Sequence, residues 1–195
     1  PTVDAGTSQS ICSGASATLT AVGGSSYTWT PSGSLNFPNS ISPVASPVST
    51  TVYTLTASDG TCTAKDIVTV SVTPLPLANA GTDATVCVGT SATLTATGGT
   101  AYSWNPNTGL SSTNIANPIA NPTITTDYTV TVTNNGCSKD DVVKVNVLAA
   151  PTANAGADKN VCLGSTTTLN ASGGTSYLWS PPTGLSSNTV ANPIV

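Results

Sequence analysis

Trp29, Trp104 and Trp179, the only three tryptophans in the chain, recur at one constant interval of 75. Each sits in a copy of one phrase: "GGSSYTWTPSGSL", "GGTAYSWNPNTGL" and "GGTSYLWSPPTGL". The same shift superposes Cys12, Cys87 and Cys162, then Cys62 and Cys137, then Tyr27, Tyr102 and Tyr177, and also Tyr53 and Tyr128. Over the stretch that the second and third copies share, more than half of the positions are identical. A chain of this kind cannot spread one large core over its length, because every copy brings the same apolar positions. A period of 75 is longer than the roughly 20–50 residues of a solenoid repeat, so each copy reads as a small domain on a string. The units are residues 1–75, 76–150 and 151–195, the last incomplete.

Within a unit the pattern is that of strands. In "SATLTAT" Leu94 and Ala96 fall on one face, Thr93 and Thr95 on the other. "AYSW" puts Tyr102 and Trp104 together, "TDYTVTVT" aligns Tyr128, Val130 and Val132, and "DVVKVNV" aligns Val143, Val145 and Val147. "IANPIANP" is broken by prolines that suit only an edge strand. Helix formers are scarce, since Glu, Met and Arg are absent. Six or seven short strands per unit predict an all-β chain of tandem β-sandwiches arranged end to end.

In so small a sandwich the tryptophan is the expected core plug, a residue able to bury about 150–250 Å². Trp29, Trp104 and Trp179 are therefore expected in the core, with Tyr27, Tyr102, Tyr53 and Tyr128 in phase beside them. Each complete unit also carries two cysteines, one on its first strand and one at the start of its last. With no histidine anywhere, two cysteines cannot complete a four-ligand zinc site, and a nucleophilic thiol would lack a base. Disulfides Cys12–Cys62 and Cys87–Cys137 are expected, each joining the edge strand of a unit to its terminal strand. Such a loop closure is worth about 4 kcal/mol and places the chain in an oxidising compartment. Cys162 has no counterpart partner within the sequence.

Charge excludes further classes. Only 6% of residues are charged, against about 25% in an ordinary soluble domain. Four lysines facing eight aspartates cannot form the basic face that nucleic acid requires, and no run is apolar enough to insert in a membrane as a helix. Acid–base catalysis would have to rest on Asp140 and Asp141, whose equivalents in the first unit are Lys65 and Asp66; that pair reads as a solubilising turn, and no enzyme is expected. Calcium is the one ion the aspartates suggest. Asn79 and Asp83, repeated as Asn154 and Asp158, offer a thin ligand set where calcium takes six to eight oxygens, so no cofactor is assigned.

The motifs Y-x-W in mid-unit, P-x-x-G-L after it, and "YTVTVT" before the second cysteine resemble the Ig-like and PKD-like repeats of very large secreted surface proteins of Bacteroidota. Those include gliding-motility adhesins and other type IX secretion cargo. The likeness covers essentially the whole chain; it departs at "PSGSLNFPNSISP", where the first unit rewrites a loop, and at "WNPNTG", which stands in place of the PKD-like "WDFGDG". It implies Ig-like sandwiches, an extracellular or cell-surface location, and a stalk or filament that projects a binding region. It also implies neighbouring repeats as the nearest partners, with surface polysaccharide or other cell-surface proteins further out. An accessory carbohydrate-binding or spacer module of a secreted hydrolase is the alternative, and it requires exposed aromatic side chains. The linkers "TPLPLANAG" and "LAAPTANAG" are short and proline-bearing, hence semi-rigid. The truncated third unit is expected to belong to an array that continues through a further cysteine, in preference to completion by a strand from a second molecule.

Overall fold

The structure, a computed structural model, describes residues 2–195; Pro1, the first residue of the first unit, lies outside them. The first unit contains β1 (Gln9–Cys12), β2 (Ala17–Thr18), β3 (Ser26–Thr30), β4 (Val44–Ala45), β5 (Thr51–Ser58) and β6 (Thr63–Thr73). The second repeats them as β7 (Ala84–Cys87), β8 (Ala92–Thr93), β9 (Ala101–Asn105), β10 (Ile119–Ala120), β11 (Thr126–Asn134) and β12 (Cys137–Leu148). In each of these two units one sheet has four strands, in the order β1-β6-β5-β3 and β7-β12-β11-β9, faced by a two-stranded ladder, β2-β4 or β8-β10. A last strand flanked by the strand before it, with the first strand returning to its outer edge, is the Ig-like arrangement.

Alternation explains which face each strand buries. In β5 Tyr53, Leu55 and Ala57 point inward while Thr54 and Thr56 lie on the outer face. In β11 Tyr128, Val130 and Val132 are wholly buried. Two separate cores result, one from Ala5 to Val70 and one from Ala80 to Val145. Trp29 and Trp104 are buried within them, and their indole N–H groups donate to the carbonyls of Ser40 and Ile115, at 3.1 and 2.9 Å. A buried indole thus keeps no unpaired donor. Tyr128 donates its hydroxyl to Thr108 O at 2.8 Å, and the Tyr53 hydroxyl meets that of Ser34.

The glycine pair before each tryptophan has a steric cause. A Cβ on Gly23 would collide with Thr2 O, and one on Gly98 with Leu77 O. Only glycine lets the incoming chain pass so close. That chain is then fixed by paired backbone bonds, Asp4 with Val22 and Asn79 with Thr97.

Two expectations change. "SATLTAT" forms a ladder only at Ala92–Thr93. Beyond it Leu94 and Ala96 donate to Pro118 O and Ala116 O, because the proline of the facing segment leaves it no regular strand. Residues 151–195 form only isolated bridges, Asn154 with Ser172 and Thr168 with Ile194. Trp179 and Tyr177 are accordingly half-buried there; the segments that cover Trp104 have no counterparts in this stretch. Tyr27 and Tyr102 share a face with their tryptophans but are also half-buried, with hydroxyls on Gly24 O and Gly99 O.

Trp104→Ala should cost about 3–5 kcal/mol and melt the second unit early while the first keeps its transition. Calorimetry alongside the fluorescence of Trp29 checks this; a single unshifted transition would mean that Trp104 holds no core.

Candidate functional site

The four-stranded sheet sets where the cysteines lie. β1 pairs with β6 in parallel, Gln9 facing Val70 and Cys12 facing Thr73. β7 pairs with β12 in the same register, Ala84 facing Val145 and Cys87 facing Leu148. Cys12 is therefore at the end of β6, whereas Cys62 precedes its beginning. Eleven residues of strand separate them by about 36 Å at 3.3 Å per residue. A disulfide requires Cα atoms roughly 4.4–6.8 Å apart.

The expected pairs Cys12–Cys62 and Cys87–Cys137 are thus corrected. Cys12 is bonded to Cys137, with 5.7 Å between their Cα atoms and a sequence separation of 125. The bond joins the exit end of the first unit to the β11–β12 hairpin of the second. That hairpin turns through Asn135 and Gly136, both at positive φ, the conformation an Asn-Gly two-residue turn demands. Its tip reaches the exit of the first unit: the Cys12 sulfur lies 3.9 Å from Gly136 O, and that of Cys137 3.9 Å from Thr73 O. Cys137 is buried there, while Cys62, Cys87 and Cys162 are free and exposed.

The acidic residues near the junction serve the backbone. Asp141 accepts the N–H of Ala80 at 2.8 Å, and Asp66 that of Ala5 at 2.7 Å; Ala5 and Ala80 are buried in their cores. The Ala5 N–H, and then that of Ile67, hold the Asp66 carboxyl below the usual carboxylate range. Asp141 is therefore a clasp on the incoming chain, not part of a solubilising turn. The constant separation of 61 between each aspartate and its alanine is the signal that sequence reasoning passed over. The calcium candidates are similarly engaged. Asn79 caps Gly81 N, Asn154 caps Gly156 N, and Asp83 accepts the N–H of Lys144 at 2.9 Å. Among the described residues no three His, Cys, Asp or Glu side chains, Asp158 included, gather into a metal-holding group.

Of the nine aromatic side chains, Phe37 in the rewritten loop is the one that is strongly exposed. Trp29, Trp104, Tyr53 and Tyr128 are in the cores, so no row of aromatics faces outward on the first two units. No helix among the described residues is long and apolar enough to cross a membrane.

No protein-family model matches the chain, and no curated protein matches it in sequence. Among solved structures it is similar to the N-terminal eight Ig domains of Down Syndrome Cell Adhesion Molecule, at 17% identity and a TM-score of 0.41. That match takes in 87% of this chain, which spans only 31% of the other. An I-band fragment of titin matches at 14% identity and a TM-score of 0.42, over 97% of this chain and 85% of that one. Immunoglobulin domains 1–4 of Sidekick-1 match at 14% identity and a TM-score of 0.39, over 73% and 47%.

Two measurements check the clasp. Asp141→Ala strands the buried Ala80 N–H and should destabilise the second unit by about 1–3 kcal/mol, read from its urea midpoint. For Asp66 the folded carboxyl is the stronger acid. Its contribution is present above the unfolded carboxylate value, near 4, and is lost as pH falls through the folded one. The first unit's melting temperature should fall below about pH 4, and Asp66→Asn should flatten that fall; an unchanged pH profile in the variant would remove Asp66 from this role.

Proposed function

We propose that the chain is a length of stalk from an extracellular repeat adhesin or cell-surface filament, one that holds a distal binding region away from the surface. The observation that carries this is the Cys12–Cys137 bond. A domain stabilised for its own sake gains from a bond within itself. A bond between successive units stabilises their succession, which is useful where the array has to transmit load. The short junction agrees with it: β6 ends at Thr73 and the next unit's first backbone bond begins at Asn79, leaving only Pro74 to Ala78 between them. A weakly charged, Thr- and Ser-rich exterior suits a spacer, and the bond suits an oxidising exterior. The Y-x-W and "YTVTVT" motifs favour a Bacteroidota surface protein of the gliding-adhesin type, delivered by type IX secretion.

Tension applied to the two ends of the chain enters at the first residues, crosses at Cys12–Cys137, and leaves through β12. The residues between the two cysteines carry none of it. Pulled from its ends, the oxidised protein should not lengthen when the first unit unfolds. Reduction should release about 400–450 Å of additional contour, at 3.3–3.6 Å per residue over the sequence separation of 125. Single-molecule force spectroscopy with and without reductant reads this length. Equal contour lengths in the two conditions would refute a bond that carries the tension, and with it the stalk.

A further inference from the structure

The free thiols of Cys62 and Cys87 occupy the positions that are bonded elsewhere in the same molecule. Cys87 ends β7 opposite Leu148, as Cys12 ends β1 opposite Thr73. Beyond each, the next residue donates the same backbone bond, Val88 to Leu148 O and Ser13 to Thr73 O, at 2.9 and 2.8 Å. Cys62 closes the β5–β6 hairpin as Cys137 closes β11–β12: Ser58 faces Thr63 as Thr133 faces Ser138. Both free thiols are exposed, whereas Cys137, whose socket is filled, is buried. Each is therefore half of a Cys12–Cys137 joint, presented at opposite poles of the two-unit block.

We propose that Cys62 and Cys87 are inter-repeat linkage sites. Each takes another repeat of this same kind: Cys62 bonds the exit-strand cysteine of a repeat before it, and Cys87 the hairpin cysteine of a repeat after it. This goes beyond the stalk reading but rests on its oxidising location. The chemistry is thiol–disulfide exchange with a small disulfide such as oxidised glutathione. Two protein thiols and one glutathione disulfide give one protein disulfide and two glutathione thiols, with the protons retained on glutathione. In such an array each bond spans a separation of 125 while the repeat period is 75, so successive loops overlap. The covalent path from one bond to the next then runs forward only from Cys62 to Cys87, and the array becomes a cable that cannot be drawn out by unfolding.

The test extends the full chain by a copy of residues 76–150 placed before Pro1, which reproduces the natural Ala150–Pro151 junction. After oxidation in a glutathione buffer, alkylation and peptide mapping should find the added copy of Cys87 bonded to Cys62, with Cys12–Cys137 intact. In Cys62→Ser that added thiol should stay free. A second chain, with a copy of residues 121–150 after Val195, should bond the added hairpin cysteine to Cys87. The fluorescence of the added copy of Trp104 in the first chain, and of Trp179 in the second, together with melting, shows that the added or completed units are folded. Cys62 and Cys87 remaining alkylatable beside folded added units, or Cys62 pairing with Cys62 of a second chain, would overturn the proposal. That failure would leave the contour-length result for Cys12–Cys137 standing, so the two readings fail separately.

Discussion

The parallel pairing of β1 with β6, repeated as β7 with β12, governs most of what this molecule does. The first and last strands of a unit run side by side in one direction, so the chain enters at one pole and leaves at the other. That polarity puts Cys12 at the exit and Cys62 at the entrance, too far apart for a bond within the unit. It brings the entrance hairpin of the second unit, carrying Cys137, against the exit of the first. An antiparallel pairing would have folded each unit back on its own entrance and closed its cysteines on one another.

The joint is stiffened by contacts that are individually modest. Asp4 and Asn79 pair with Val22 and Thr97 through the backbone, and Asp66 and Asp141 accept the alanine N–H groups next to them. The glycine pairs let the incoming chain lie against the sheet without a steric collision. Each unit thus grips the segment by which it is entered, and the short stretch that remains between grips contains Pro74 and Pro76. A short linker with φ fixed at two positions has little room to bend, which favours the approach of Cys12 to Cys137 before any bond forms.

Much of this was legible in the sequence, and what was not has a definite reason. Period-2 alternation in "TVYTLTAS" and "TDYTVTVT" marks strands because burial decides the face of every residue in them. The repeat marks the units because identical spacing of Trp, Tyr and Cys means identical local environments. The lost part of "SATLTAT" was not legible, because Pro118 on its partner segment lies beyond the whole Trp104 strand and removes the ladder from the other side. The aspartate clasps were missed because each bond spans a separation of 61 and leaves no local pattern. Asp66 and Asp141 look like surface charges until the incoming backbone is laid beside them.

The disulfide is the instructive error, since the information needed was present. A repeat unit that runs end to end must carry its first and last strands in the same direction, for otherwise its two ends would lie at one pole. A cysteine at the end of the first strand and another at the start of the last must then stand at opposite poles. Cysteine counting per unit favours intra-unit bonds only by treating each unit as isolated. Once the units are arranged head to tail, the nearest cysteine to an exit belongs to the next entrance. Matched cysteines at a fixed repeat spacing therefore carry two readings, and the direction of the edge strand decides between them. Here that direction makes the junction, and not the domain, the unit that the cysteines stabilise.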